Sequence, residues 1–148
     1  MDDILVKGAW AGLIGTLGDA LIHKLCFFLF RTATTAQYIA GLVFHKTKFT
    51  DLEYFIGFLI HLSAGAFAGT LLALILKYSS EKYAYLKGVV FGLLMWIVHI
   101  AIIPNVINSP QPFILRTAAE TVVDLFAHLI FGILATKILL KPFGELKM

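Results

Sequence analysis

The chain has 148 residues, of which 59% are hydrophobic and 14% are charged, and its formal net charge is +3. Soluble domains carry about 25% charged residues, so this composition excludes an ordinary soluble globular protein. The net charge is small and the lysines flank apolar segments, which argues against nucleic-acid binding. We therefore predict an all-α integral membrane protein, with residues 1–148 forming a single domain in contact with the lipid bilayer.

Four apolar stretches predict four transmembrane helices that pack as one compact bundle. They cover residues 4–30, 54–76, 87–104 and 118–140, with boundaries approximate. Each is about 18 residues long or longer, which is enough to span a hydrocarbon core of about 30 Å. Asp2 and Asp3 are unlike the basic start of a cleavable signal peptide. We therefore expect the first apolar segment to be retained.

The first segment combines small residues and polar residues on one helical face. Gly8, Gly12 and Gly15 recur at spacings of three and four, and Asp19 and His23 continue the same face. Small residues allow a neighbouring helix to approach closely in a membrane. The aspartate and the histidine should therefore point into the bundle rather than toward lipid.

The middle of the chain adds a short apolar segment and two further histidines. Residues 34–45 are too few to cross a bilayer and predict an interfacial or re-entrant segment. The second long segment carries His61, and the third carries His99. We expect the third helix to end at Pro104, because proline disrupts the interior of a helix. Each of the first three long segments therefore contains one histidine.

The fourth segment contains the sequence ETVVDLFAH. Its Glu120, Asp124 and His128 are four residues apart and climb one face of a helix. A charged side chain at mid-bilayer costs about 2.5–3.5 kcal/mol or more, so such groups usually face a partner or a cavity. The same four-residue spacing joins Asp19 to His23 in the first segment. The pattern predicts a functional site inside the bundle.

The basic residues predict the orientation in the membrane. We place seven of them at one end of the bundle and four at the other. The first group is Lys7, Lys77, Lys82, Lys87, Lys137, Lys141 and Lys147, and the second is Arg31, Lys46, Lys48 and Arg116. The positive-inside rule then places both termini in the cytoplasm, with the plasma membrane as the expected location.

The chain also contains an apparent internal repeat. KGAWAGLIGTLGD (7–19) aligns with KGVVFGLLMWIVH (87–99), and EYFIGFLIHLSAGAFA (53–68) aligns with ETVVDLFAHLIFGILA (120–135). Two repeats of the same topology predict a pseudo-twofold axis along the membrane normal, with the functional site at the interface between the repeats.

Six ionisable side chains are expected at similar depth, because each lies a similar number of residues from the cytoplasmic lysines, at about 1.5 Å per residue. They are Asp19, His23, His61, His99, Asp124 and His128. Imidazole binds Zn, Fe, Cu and Ni, and carboxylates allow a second ion to bind. Helical bundles build dinuclear sites from inward-facing carboxylates and histidines. We predict that these six residues bind a mono- or dinuclear transition-metal centre, with Zn or Fe as the preferred ion.

The sequence leaves more than one function open. The first hypothesis is a membrane metalloprotein, either a redox enzyme acting on a lipid or quinone-like substrate or a metal-assisted hydrolase, with Glu120 as proton shuttle or general base. The second is a small proton- or metal-coupled transporter. A b-type haem protein and a structural membrane protein are further alternatives. The glycine-rich faces also allow a homodimer.

Overall fold

The computed structural model describes residues 3–46, 48–107 and 117–141. Most of these residues are helical, and none of them forms a strand. The elements are α1 (Ile4–Phe30), α2 (Thr35–Phe44), α3 (Asp51–Ser79), α4 (Ala84–Ile97), a π-helical turn (Val98–Ile102), α5 (Ile103–Ile107) and α6 (Ala118–Leu139). Arg116 and Lys147, which contributed to the predicted orientation, lie outside the described residues.

Four helical stretches are long and apolar enough to cross a membrane. They are α1, α3, α4 together with its π turn, and α6. Their outward faces carry large apolar side chains, and Leu21, Phe67 and Val122 are each at least half exposed. Lipid tails cover such surfaces in a bilayer, whereas water would leave them as large hydrophobic patches. The predicted all-α class and the four long apolar helices are confirmed.

Helices α2, α3 and α6 each begin with a capping box. A threonine side chain accepts a hydrogen bond from the backbone N–H three residues later, and the Gln or Glu at that position accepts one from the threonine N–H. The pairs are Thr34–Gln37, Thr50–Glu53 and Thr117–Glu120. These motifs fix where each helix starts and so set the depth of the polar side chains further along it.

Helix α2 corresponds to the short apolar segment of the sequence. It packs against α3 where Gly57 meets the backbone of Ala36 and Ala40. A side chain on Gly57 would overlap the carbonyl oxygen of Ala36, so the absence of one allows the two helices to touch. Tyr38 is buried on the inner side of α2. The interfacial or re-entrant position of this helix remains a prediction.

The third long helix does not end at Pro104, and the predicted boundary was wrong. It continues through the π turn into α5. A proline lacks the N–H for the usual helical bond and crowds the carbonyl four residues earlier. The wider π turn accommodates this, and the N–H of Ile103 donates to the carbonyl of Val98, five residues back. His99 lies inside this turn.

Glycines bring the backbones of α1 and α3 into direct contact. Gly12 faces Gly65 and Gly69, and a methyl group on Gly12 would overlap the carbonyl oxygen of Gly65. One turn toward the start of α1, Gly8 lies against Thr70. The glycine face of the first segment is therefore the face that packs against α3, as small-residue faces do in membranes.

The remaining long helices extend this packing into a row. Helix α4 contacts α6 where Gly88 meets Gly132, and α6 contacts α1 where Phe131 meets Gly15. The order across the row is α3, α1, α6, α4. Helices α3 and α4, at the two ends of the row, scarcely touch each other. A gap therefore remains between them.

We expect Gly12→Ala to lower the free energy of unfolding by about 1–3 kcal/mol, because the added methyl group must push two backbones apart. Gly18→Ala is the matched control, since its methyl group meets chiefly the end of the Leu134 side chain, which can rotate. Thermal unfolding of both variants in detergent measures the difference. Equal destabilisation of the two variants would contradict the close contact between α1 and α3.

Candidate metal centre

The structure brings together all six residues that the sequence analysis named as metal ligands. They lie on α1 (Asp19, His23), α3 (His61), the π turn (His99) and α6 (Asp124, His128). Asp19, His23 and Asp124 are at most 2% exposed, and His99 is also buried. His61 and His128 are partly buried. Polar groups from four helical elements therefore meet in a largely dry interior.

The two Asp-x3-His motifs pair reciprocally between α1 and α6. His23 Nε2 lies 3.3 Å from Asp124 Oδ1, and His128 Nδ1 lies 3.8 Å from Asp19 Oδ2. Because the two helices are antiparallel, the aspartate of each motif lies level with the histidine of the other. The contacts within each motif are 4.0 Å on α1 and 3.8 Å on α6.

The other two histidines approach the same carboxylates from the outer helices of the row. His61 Nε2 is 3.3 Å from Asp19 Oδ1, and His99 Nδ1 is 3.2 Å from Asp124 Oδ2. Each aspartate is therefore contacted by histidines of more than one element. This arrangement depends on α3 lying against α1 and on the π turn lying beside α6.

Each aspartate presents its two oxygens to different imidazoles. Oδ1 of Asp124 faces His23 and Oδ2 faces His99. Asp19 repeats the arrangement with the other two histidines of the cluster. Each carboxylate therefore contacts imidazoles that come from at least two helical elements.

The distances between donor atoms suit ligands of a common ion. Two ligands at about 2.0–2.2 Å from one ion are about 2.9–3.5 Å apart in tetrahedral or octahedral geometry. The three shortest contacts of the cluster are 3.2, 3.3 and 3.3 Å. Within the described residues, neither ring nitrogen of His23 makes a hydrogen bond, although buried polar atoms usually do. Its Nε2 nevertheless lies 3.3 Å from Asp124 Oδ1, within the reach of an ion pair.

The carbonyl of Asp124 orients His128. His128 Nδ1 lies 2.8 Å from this carbonyl oxygen. A carbonyl can only accept, so we infer that Nδ1 carries the proton and that Nε2 retains its lone pair. Metal-binding histidines are commonly held by a bond of this kind. His99, Asp124 and His128 offer donor atoms that all lie within 4.8 Å of one another, and these three residues could hold a metal ion.

Tyr38 is part of the site, although the sequence analysis did not name it. Its ring packs edge-on against His99 with 4.8 Å between centroids, and its hydroxyl donates to the backbone oxygen of His99 over 3.4 Å. The contact supports the π turn and limits the positions of the His99 ring. In the sequence, Tyr38 was one of two aromatic residues in a short apolar segment, beside Phe44, and no spacing related it to His99.

Glu120, predicted as proton shuttle or general base, forms hydrogen bonds that hold the start of α6. Its side chain accepts hydrogen bonds from the backbone N–H of Thr117 at 2.9 Å and of Ala33 at 2.8 Å. The second bond joins the chain after α1 to the start of α6. Glu120 also lies one helical turn from Asp124. Its catalytic role stays a prediction.

The model of a family of unknown function, DUF6789, matches residues 1–139. The chain belongs to the DUF6789 family. The matched range includes all six residues of the cluster. No curated protein and no solved structure matches the chain.

In the DUF6789 protein, Glu120→Ala should lower the free energy of unfolding by about 1–3 kcal/mol, because the capping box and the bond from Ala33 are both lost. Glu53→Ala is the matched control. Glu53 makes the same capping box on α3, but its other partner is the half-exposed Lys46, and surface ion pairs contribute little. Chemical unfolding in detergent compares the two variants. Equal losses would show that the bond to Ala33 is not stabilising.

Proposed function

We propose that this DUF6789 protein is an integral membrane metalloprotein that holds two transition-metal ions among its four long helices. The observation that carries the proposal is the position of the two buried aspartates, each of which faces two imidazoles through separate oxygens. Six ionisable groups in an apolar interior are costly unless they neutralise one another or bind an ion. Bound cations would account for both the burial and the convergence of these groups.

In this proposal His23 and His61 would hold one ion, and His99 and His128 would hold the other. Asp19 and Asp124 would be shared between the two ions, since each contacts histidines of both pairs. Each ion would then have two nitrogen and two oxygen ligands, a mixed set that suits Zn or Fe. Two divalent ions bring four positive charges, whereas two carboxylates bring two negative ones. A bound hydroxide together with one anionic group of the substrate would supply the two remaining negative charges.

The identity of the ions would decide the reaction class. Zn would polarise an oxygen of the substrate and lower the pKa of a bound water, which supports hydrolysis. Fe would add electron transfer and so support a redox reaction. In either case the protein contributes orientation, through the reciprocal Asp–His contacts and the carbonyl that holds His128. Glu120, one turn away from Asp124, is the candidate group for passing a proton toward the centre.

We also infer that the helices form a bundle derived from two two-helix repeats. Support comes from the glycine contacts, since Gly12 packs on Gly65 within the first pair and Gly88 packs on Gly132 within the second. In the sequence alignment Gly12 corresponds to Gly92, so the second pair is displaced by one helical turn. The gap between α3 and α4 is a further departure from symmetry, because α1 and α6 do pack together.

Both termini are assigned to the cytoplasm in this proposal. Lys7 Nζ donates to the carbonyl of Lys141 over 2.6 Å, so the start of α1 lies beside the end of α6. Lys87 reaches back to the carbonyl of Ser79 across the turn between α3 and α4. The helix ends that carry most of the lysines therefore lie on one side of the protein. This supports a cytoplasmic position for that side, in the plasma membrane.

Metal analysis tests the proposal. Detergent-purified protein should contain about two Zn or Fe ions per chain. The double variant Asp19→Asn/Asp124→Asn keeps the side-chain sizes but removes both anionic ligands, and its metal content should fall roughly tenfold or more. His45→Asn is the control, because His45 is exposed at the end of α2 in a left-handed conformation that asparagine tolerates. Its metal content should equal that of the wild type.

Other outcomes would change the conclusion. One ion per chain would support a mononuclear centre and overturn the two-ion arrangement. A Soret band in the visible spectrum would indicate haem instead. Folded wild-type protein that takes up neither Zn²⁺ nor Fe²⁺ under anaerobic conditions would overturn the metal centre, and a proton-coupled transporter or a structural role would then be the function to test.

A further inference from the structure

A cavity of about 450 Å³ opens beside the cluster, in the gap between α3 and the π turn after α4. Ligand pockets in proteins commonly measure about 300–1,000 Å³, so the space is large enough for a small molecule. Four of the six cluster residues line its inner end: Asp19, His61, His99 and His128. A molecule in the cavity would therefore meet the proposed metal centre directly.

The walls beyond the inner end are apolar. Helices α2, α3 and α4 with its π turn all contribute, through Ile39, Leu42, Phe67, Leu71, Met95 and Val98 among others. Apart from the cluster residues, the polar side chains that line the described cavity are Thr16 and Thr35. A polar group placed along these walls would lose its hydrogen bonds to water without replacement. The cavity therefore selects a molecule whose body is apolar.

The mouth of the cavity faces the region where lipid tails would lie. Val43, Phe67 and Leu71 are at the rim and are 44%, 66% and 36% exposed. They belong to the outward surfaces of α2 and α3, and the long apolar helices place such surfaces against the hydrocarbon core. A molecule dissolved in the bilayer could enter sideways without passing through water.

We propose that this cavity binds a membrane-dissolved amphiphile, with its oxygen-bearing polar group at the metal centre and its apolar part along α2, α3 and α4 toward the lipid. The proposal rests on the metal centre proposed above. It follows from one cavity that combines an ionisable inner end, apolar walls and a lipid-facing mouth. Free acyl lipids and isoprenoid-type quinones share this chemistry, and the experiment distinguishes them.

A second cavity of about 260 Å³ adjoins the cluster. Its polar lining includes His23, His61 and Lys24, and Leu17, Leu21 and Phe58 are among its apolar lining. His61 and Thr35 line both cavities, so the two spaces are neighbours.

The test compares two alanine variants. Ala64→Phe places a ring in the larger cavity, since Ala64 lines it and is exposed toward the mouth. Ala119→Phe adds the same ring at an exposed position at the start of α6. Binding of a decyl-substituted benzoquinone and of palmitic acid is measured by equilibrium dialysis of protein in phosphatidylcholine nanodiscs, and metal content is measured on the same samples.

We expect wild type and Ala119→Phe to bind at least one probe saturably, and Ala64→Phe to bind it at least roughly tenfold more weakly while keeping the wild-type metal content. Binding of the quinone alone or of the fatty acid alone identifies the substrate class. If Ala64→Phe fails to fold, Leu71→Trp obstructs the rim instead. Metal-loaded wild type that binds neither probe, or an obstructed variant that binds like wild type, overturns the amphiphile site and leaves the metal centre intact. Metal-free wild type overturns the proposed function itself, whatever the probes do.

Discussion

The burial of two carboxylates among four imidazoles is the constraint on which the rest of the structure depends. In a bilayer an isolated charge costs about 2.5–3.5 kcal/mol or more, so these groups must find their partners within the protein. The partners come from separate elements, and their donor atoms approach within 3.2–4.0 Å. Glycine contacts between helices allow that approach, capping boxes set the depth of each helix, and the π turn presents His99.

Much of the site could be predicted because its determinants are local. Helix length, glycine spacing and distance from the lysines at the predicted cytoplasmic helix ends were enough to predict a similar depth for six polar residues. The partner of each residue could not be predicted. The four-residue spacing suggested that Asp19 pairs with His23, whereas the shorter contact of His23 is with Asp124. Reciprocal pairing requires α1 and α6 to be antiparallel neighbours, which no single segment encodes.

The local structure could also not be predicted from the sequence where tertiary packing overrides a local rule. Pro104 should end a helix, yet a π turn accommodates it, and Tyr38 packs against the same turn from α2. The gap between α3 and α4 has a similar origin. A duplicated pair of helices suggests equivalent contacts around the row, but α2 packs on α3 and the apolar cavity occupies the space beside it. The apolar cavity therefore lies where the proposed duplication would have placed a contact between α3 and α4.

The division of the cluster between the two glycine-packed helix pairs has a consequence for biogenesis. The first pair carries Asp19, His23 and His61, and the second carries His99, Asp124 and His128, so neither pair alone holds all the donors of the proposed two-ion centre. Bound ions would act as cross-links between the pairs, and the free energy of metal binding would become free energy of association. If the proposed metal centre forms, two polypeptides divided at the turn between α3 and α4 would associate more tightly in a membrane when metal is supplied than when it is withheld.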